Sequence, residues 1–176
     1  MTSVQALSDR QRRILAPWAL ACAERVLPLF DADEAAHLVI LDAVERTRAF
    51  GARRGDTAVE IRKRFEAARA SKAATTPAGV AAARSVAQAA SVAHMGAHAL
   101  GAAAYAVKAV ALAHPDQSEA VPAEILWQLG QLDDQQRNAL RQLPLLGTNA
   151  SGPLGPGLLC NGILGTTIRH IQADIG

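Results

Sequence analysis

Large apolar side chains recur three and four positions apart over most of the chain, the spacing of helices that bury one face. Ile14, Leu15, Trp18, Cys22, Val26 and Leu29 follow Ser8, whose distance from Gln11 is that of a capping box, and they predict a first helix ending near Pro28. Pro17 falls inside it, so the helix either kinks there or starts at about Ala16 with the proline in its first turn. Leu38, Leu41, Val44 and Phe50 predict a second helix from about Asp33, closed by Gly51 just past its end. Thr57 and Glu60 repeat the capping-box spacing and open a third, with Val59, Phe65 and Ala68 as its apolar line on a charged surface. Thr75, Thr76 and Pro77 end that helix and start the next.

The next segment, residues 78–113, is nearly half alanine: 17 of 36 positions. Arg84, Ser91, His98 and Tyr105 stand seven apart, which returns an α-helix to within roughly 20° of the same direction. They predict one polar stripe, flanked by Gln88, His94 and Lys108, with Val86, Val92, Leu100, Val107 and Val110 on the opposite side. A straight helix of that length would span about 54 Å, long for a domain of this size, so Gly96 and Gly101 mark a bend or break. Pro115 stops the run, residues 116–121 form a loop, and Pro122 restarts a helix carrying Ile125, Leu126 and Leu129. Asp133 or Asp134 caps a further short helix through Leu143.

From residue 144 the composition changes, with 7 of the 13 glycines and 3 of the 8 prolines in the remainder. Residues 147–157 cannot form a regular helix. Leu154, Leu158, Leu159, Ile163, Leu164, Ile168 and Ile171 are too apolar for a solvated tail and predict that the segment packs back on the helices. No convincing strand alternation occurs. The expectation is an all-α protein, a single domain over 1–176, with a bundle of five to seven helices across 10–143 and an irregular, packed Gly/Pro-rich segment over 144–176. Its 176 residues suffice for one full core. Half are apolar but only two Trp, one Tyr and three Phe are present, so that core is built from Ala, Leu and Val at close approach.

A formal charge of +2 is too small to drive general nucleic-acid or membrane-surface binding. Nine of the 18 basic residues lie in 46–72, where Asp56, Glu60 and Glu66 offset part of them and no aromatics interleave for base stacking. A solvated face with pairs such as Glu60 with Arg64 accounts for them. No nucleic acid and no membrane is therefore expected as a partner. Cys22 and Cys160 make no disulfide framework, and residues 1–11 lack the apolar stretch of a signal peptide, which points to a reduced, cytoplasmic setting. Fifteen Arg against three Lys, with abundant Ala, suggests a GC-rich bacterial coding sequence.

The chemistry-bearing residues lie in the alanine-rich segment. His94 and His98 have the spacing of two metal ligands on a helix, but Met95 stands where a metalloprotease carries Glu and no third ligand is indicated, so no metal is assigned. His98, Tyr105, Lys108 and Arg84 share a face on which a buried imidazole beside a cation would stay neutral and could act as a base. No nucleophile elbow, P-loop or dinucleotide fingerprint accompanies them, and the glycines at 152–157 lack the Lys and Ser/Thr of a phosphate cradle. No catalytic residue and no cofactor is assigned. Two readings stay open: buried polar groups that fix helix register, or a recognition surface of Tyr, Arg and His.

The strings Trp18-Ala19-Leu20-Ala21-Cys22-Ala23-Glu24-Arg25-Val26-Leu27-Pro28-Leu29-Phe30 and His94-Met95-Gly96-Ala97-His98-Ala99-Leu100-Gly101-Ala102-Ala103-Ala104-Tyr105-Ala106 resemble the two signature regions of the bacterial Imm-5-like immunity proteins. Trp127-Gln128 followed by Leu132 is similar to that family's last helix, and the resemblance covers roughly residues 10–143. It implies a small all-α protein that neutralises a cognate toxin of a polymorphic toxin system by binding it. The residues matching the signatures are Trp18, Cys22, Glu24, Arg25 and Pro28, and His94, His98, Gly101 and Tyr105. The Gly/Pro-rich segment departs from the pattern and leaves room for closing a pocket over the polar stripe. The leading expectation is a non-catalytic binding protein, monomer or homodimer, with Arg84, Ser91, His94, His98, Tyr105, Lys108, Cys22 and Trp18 as candidate partner- or ligand-binding residues. The alternative is a protein or enzyme that takes a small hydrophobic metabolite between its helices. An enclosed stripe favours the metabolite, and an open, apolar-rimmed stripe favours a protein partner.

Overall fold

The computed structural model describes residues 3–176, in which every regular element is helical and no strand occurs. Helix α1 (Asp9–Val26) opens with the anticipated box: Gln11 N donates to Ser8 Oγ at 3.2 Å and Ser8 N to Gln11 Oε1 at 2.9 Å. Pro17 lies within α1 without ending it. Helix α2 (Glu34–Gly51) is capped by the Asp33 carboxylate, which accepts from Ala36 N at 2.8 Å. Gly51 is its last helical residue, not the left-handed residue beyond it; that conformation falls to Arg53 (φ 61°). Gly51 is needed for close approach instead, because a Cβ there would stand 3.0 Å from Pro17 Cγ.

The third amphipathic helix is two short ones, α3 (Thr57–Lys63) and α4 (Glu66–Ala70), and its expected apolar line does not form. Asp56, not Thr57, caps α3. Phe65 is 51% exposed, while Glu60 turns inward and is buried. The cause is Arg46 of α2, which pairs with Asp42 at 2.8 Å, Glu60 at 2.7 Å and Glu66 at 3.2 Å, so Glu60 serves this network rather than Arg64. A guanidinium with several fixed donors gathers carboxylates from three helices more effectively than a surface i,i+4 pair gathers one.

Thr76 and Pro77 start α5 (Pro77–Ser91) as anticipated, and the chain breaks over residues 92–97 before α6 (His98–Ala113). Gly96 marks the break and Gly101 continues the helix. At Gly96 the amide donates to Ala6 O at 3.0 Å, and a Cβ would meet Leu7 Cδ1 at 2.6 Å, so the N-terminal segment occupies the space beside the turn. The two halves fold against each other as a hairpin, the most extensive helix pair of the protein. Alanines let them approach: Ala82, Ala83, Ala99, Ala102, Ala103 and Ala106 are fully buried, and Ser85 Oγ reaches across to Ala102 O at 2.7 Å.

Helix α1 packs across both members of the hairpin, α2 lies on α1 and α5, and α7 (Ala120–Gly130) joins them from the side of α6. Trp18 Nε1 donates to Gln128 O at 2.9 Å. Arg25 Nε donates to the buried Glu124 carboxylate at 2.7 Å, with its guanidinium 4.2 Å from the centre of the Trp127 ring. Gln128 Nε2 donates to Glu124 Oε1 at 3.1 Å and to Ala103 O at 3.2 Å. Helix α8 (Asp134–Leu140) carries an Asp133–Gln136 capping box.

The C-terminal segment is only half irregular. Residues 144–161 are loops and a 3-10 turn, but α9 (Gly162–Ile175) is a regular helix whose Leu164, Ile168, Ile171 and Ile175 are buried, with its main contact on α6. The apolar residues noted there at helical spacing carry it. The described residues thus hold nine α-helical segments rather than five to seven, through the split third helix, the broken alanine-rich run and α9. Because Ala103 is fully buried and Gln128 Nε2 of α7 donates to its carbonyl at 3.2 Å, Ala103→Leu overfills the core and is expected to destabilise the protein by about 1–3 kcal/mol, read as a lower urea midpoint at unchanged m-value.

Candidate functional site

The polar stripe is not one line on one helix. The break at 92–97 places its first half on α5 and its second on α6, and the hairpin turns the two halves toward each other. Arg84 Nη1 donates to Tyr105 Oη at 3.4 Å, and Gln88 Oε1 accepts from His98 Nδ1 at 2.8 Å. Gly101 makes the second contact possible, since a Cβ there would collide with the Gln88 carboxamide. With the proton on Nδ1, His98 Nε2 carries the lone pair and has no partner among the described residues.

Two hollows of about 340 Å³ each adjoin at Tyr105, which lines both. One lies between Gln88, His94, Met95 and His98 on the hairpin and Pro153, Leu158 and Leu159 of the C-terminal segment. The other is lined by Pro77, Val80, Arg84, Lys108 and Leu112. Neither lining contains an Asp or Glu. Exposed Leu158 (60%) borders one hollow and exposed Leu112 (42%) the other, so the pair forms a groove that combines apolar and polar lining and is open to solvent.

The roof over the His98 end is a strap held by Gln5, which is buried. Gln5 Nε2 donates to Ser151 O at 2.7 Å, and its Oε1 accepts from Leu154 N at 2.9 Å. Gly152 adopts φ +80° and passes so close that a Cβ would lie 2.7 Å from the Gln5 Oε1. Leu154 is fully buried beneath the strap and closes it through Gly147 N to Leu154 O at 2.8 Å.

Burial is the main cause that pushes His98 down to about 4, aided by His94 and Arg64. Burial also lowers His94, with Arg64 and Arg12 acting in the same direction. Both imidazoles are therefore neutral at neutral pH, and the charged side chains that line the groove are Arg84 and Lys108. The His94 and His98 rings are 6.4 Å apart, and no group of three or more His, Cys, Asp or Glu suited to a metal occurs among the described residues.

Of the eight candidate residues, Arg84, His94, His98, Tyr105 and Lys108 line the groove. Ser91 does not, because its hydroxyl is buried against Ala87 O of its own helix at 2.8 Å. Trp18 and Cys22 lie in the core away from it; burial, with the Glu124 charge, raises the Cys22 thiol. Sequence reasoning missed Met95, Leu158, Leu159 and the clamp Gln5. Leu158 and Leu159 carried a signal, being apolar residues in a Gly/Pro-rich stretch, but a lone Gln near an N-terminus carries none.

The class so defined is an all-helical protein with an open groove along a central hairpin. A family model described as Imm-5 like putative immunity protein matches residues 5–135, and the chain belongs to that family. No curated protein and no solved structure matches it. The match begins at Gln5 and ends before the strap and α9. No helix among the described residues is long and apolar enough to cross a membrane.

A His whose folded pKa lies below its unfolded value of 6.5 binds fewer protons in the folded state, so stability is complete above about pH 6.5 and falls as the pH drops toward 4. His98 alone is expected to remove about 3 kcal/mol across that window, with His94 adding in the same direction. Urea unfolding at both ends of the window should show a smaller loss for His98→Gln than for the unaltered protein.

Proposed function

We propose that the protein is a non-catalytic binding protein of the immunity type, one domain working in the bacterial cytoplasm, which neutralises a cognate toxin by docking it on the groove along α5 and α6. Membership of the immunity family supports the role. The observation that carries the choice of surface is the open groove itself, where Tyr105, Arg84 and His98 form the floor and exposed Leu112 and Leu158 form the rim. Tyr and Arg are the side chains that anchor protein interfaces, and an exposed apolar rim excludes water around such anchors. A hydrophobic metabolite is favoured by a site that encloses most of its surface, whereas both hollows here open to solvent.

Mixing the purified protein with the toxin encoded by the neighbouring gene is expected to give a stable complex and to protect cells that express the toxin. Leu158→Asp, at an exposed position, should weaken the complex by about tenfold or more while leaving the unfolding midpoint in place. Neither complex nor protection with the unaltered protein removes this reading.

A further inference from the structure

Resting on that docking reading, we propose that the groove takes an extended acidic segment of the partner, with a carboxylate held by Arg84, Lys108 and Tyr105 and an adjacent apolar side chain under the strap. Charge points to an anion: the two linings carry Arg84 and Lys108 and no acid, and neither cation forms an ion pair among the described residues. Tyr105 Oη accepts from Arg84, which leaves its own proton to donate to a carboxylate at the point where the two hollows join.

Along the groove the lining becomes apolar, with Met95, Pro153, Leu158 and Leu159 around the neutral His98. Its free Nε2 accepts a hydrogen bond, so a backbone amide next to the apolar side chain fits it, whereas a second anion does not. Hollows of about 340 Å³ that share Tyr105 suit one or two side chains each, and neighbouring side chains of an extended segment would fill both. Nucleic acid fits poorly, because Tyr105 is buried, with the Arg84 guanidinium over its ring, and so is not offered as a stacking face to a base.

The test uses the full chain in two arms. In the first, acetyl-Leu-Asp-Leu-amide and its Asn counterpart are titrated at roughly millimolar concentration, following the Tyr105 and His98 resonances by NMR. The Asp peptide should shift both, the Asn peptide several-fold less, and the Arg84→Glu/Lys108→Glu variant should abolish the response. No shift, equal shifts with both peptides, or equivalent shifts with a single-stranded oligonucleotide would overturn the proposal.

In the second arm the neighbouring toxin is titrated against the same variant, which should bind about tenfold or more weakly and with a shallower salt dependence. A toxin that binds both forms equally overturns the acidic-segment proposal and leaves immunity intact. A toxin that binds neither, beside a positive peptide arm, overturns the immunity reading and leaves the groove's chemistry standing.

Discussion

Everything in this fold depends on how closely α5 and α6 approach. The hairpin is built of small side chains, with Ala82, Ala83, Ala99, Ala102, Ala103 and Ala106 all fully buried, and its helices are close enough for the Ser85 hydroxyl to reach the Ala102 carbonyl of the opposite helix. At that separation no Gln, His or Tyr fits inside the interface. The larger polar groups stand at its margin, where Arg84 meets Tyr105 and Gln88 meets His98 across the two helices, and that margin lines the groove. Gly101 extends the same rule to one position where even a methyl is excluded, because the Gln88 carboxamide needs the space to hold His98.

Two buried polar networks fix the other elements around the hairpin. Arg46 draws α2, α3 and α4 together through three carboxylates, and the Arg25, Glu124, Gln128 and Trp18 group ties α1, α6 and α7. Each pairs a charge that would be costly to bury alone with partners from different helices, which makes the arrangement selective for one register. The first family signature supplies Trp18 and Arg25 to the second of these networks, whereas the other signature supplies His94, His98 and Tyr105 to the groove and Gly101 to the space that Gln88 needs. One signature thus belongs to assembly and the other to the surface assembly creates. The strap adds a wall from residues beyond the family match, clamped by Gln5 from the opposite end of the chain.

Local signals were legible where the deciding interaction was local. The Ser8 capping box, the Thr76–Pro77 start and a cap at Asp133 or Asp134 depend on neighbours within a turn or two, and so they stand in the sequence. The third helix misled because its apolar line competed with Arg46, which lies in the helix before it and collects Glu60 and Glu66. Gly51 misled because glycine serves both left-handed caps and close approach, and only the position of Pro17 decides between them.

By itself the sequence determined that this protein is helical, that its core is built on alanine, that the long polar-striped segment bends or breaks at Gly96 or Gly101, and which residue types could meet a partner. Each of these follows from spacing and side-chain size. Only the tertiary structure decided that the stripe is split across two facing helices, that Ser91, Trp18 and Cys22 lie outside the groove, and that the Gly/Pro-rich segment roofs it. The physical reason is distance along the chain: Arg84 meets Tyr105 across 21 residues and Gln5 meets Leu154 across 149, and no local periodicity encodes a contact made by packing.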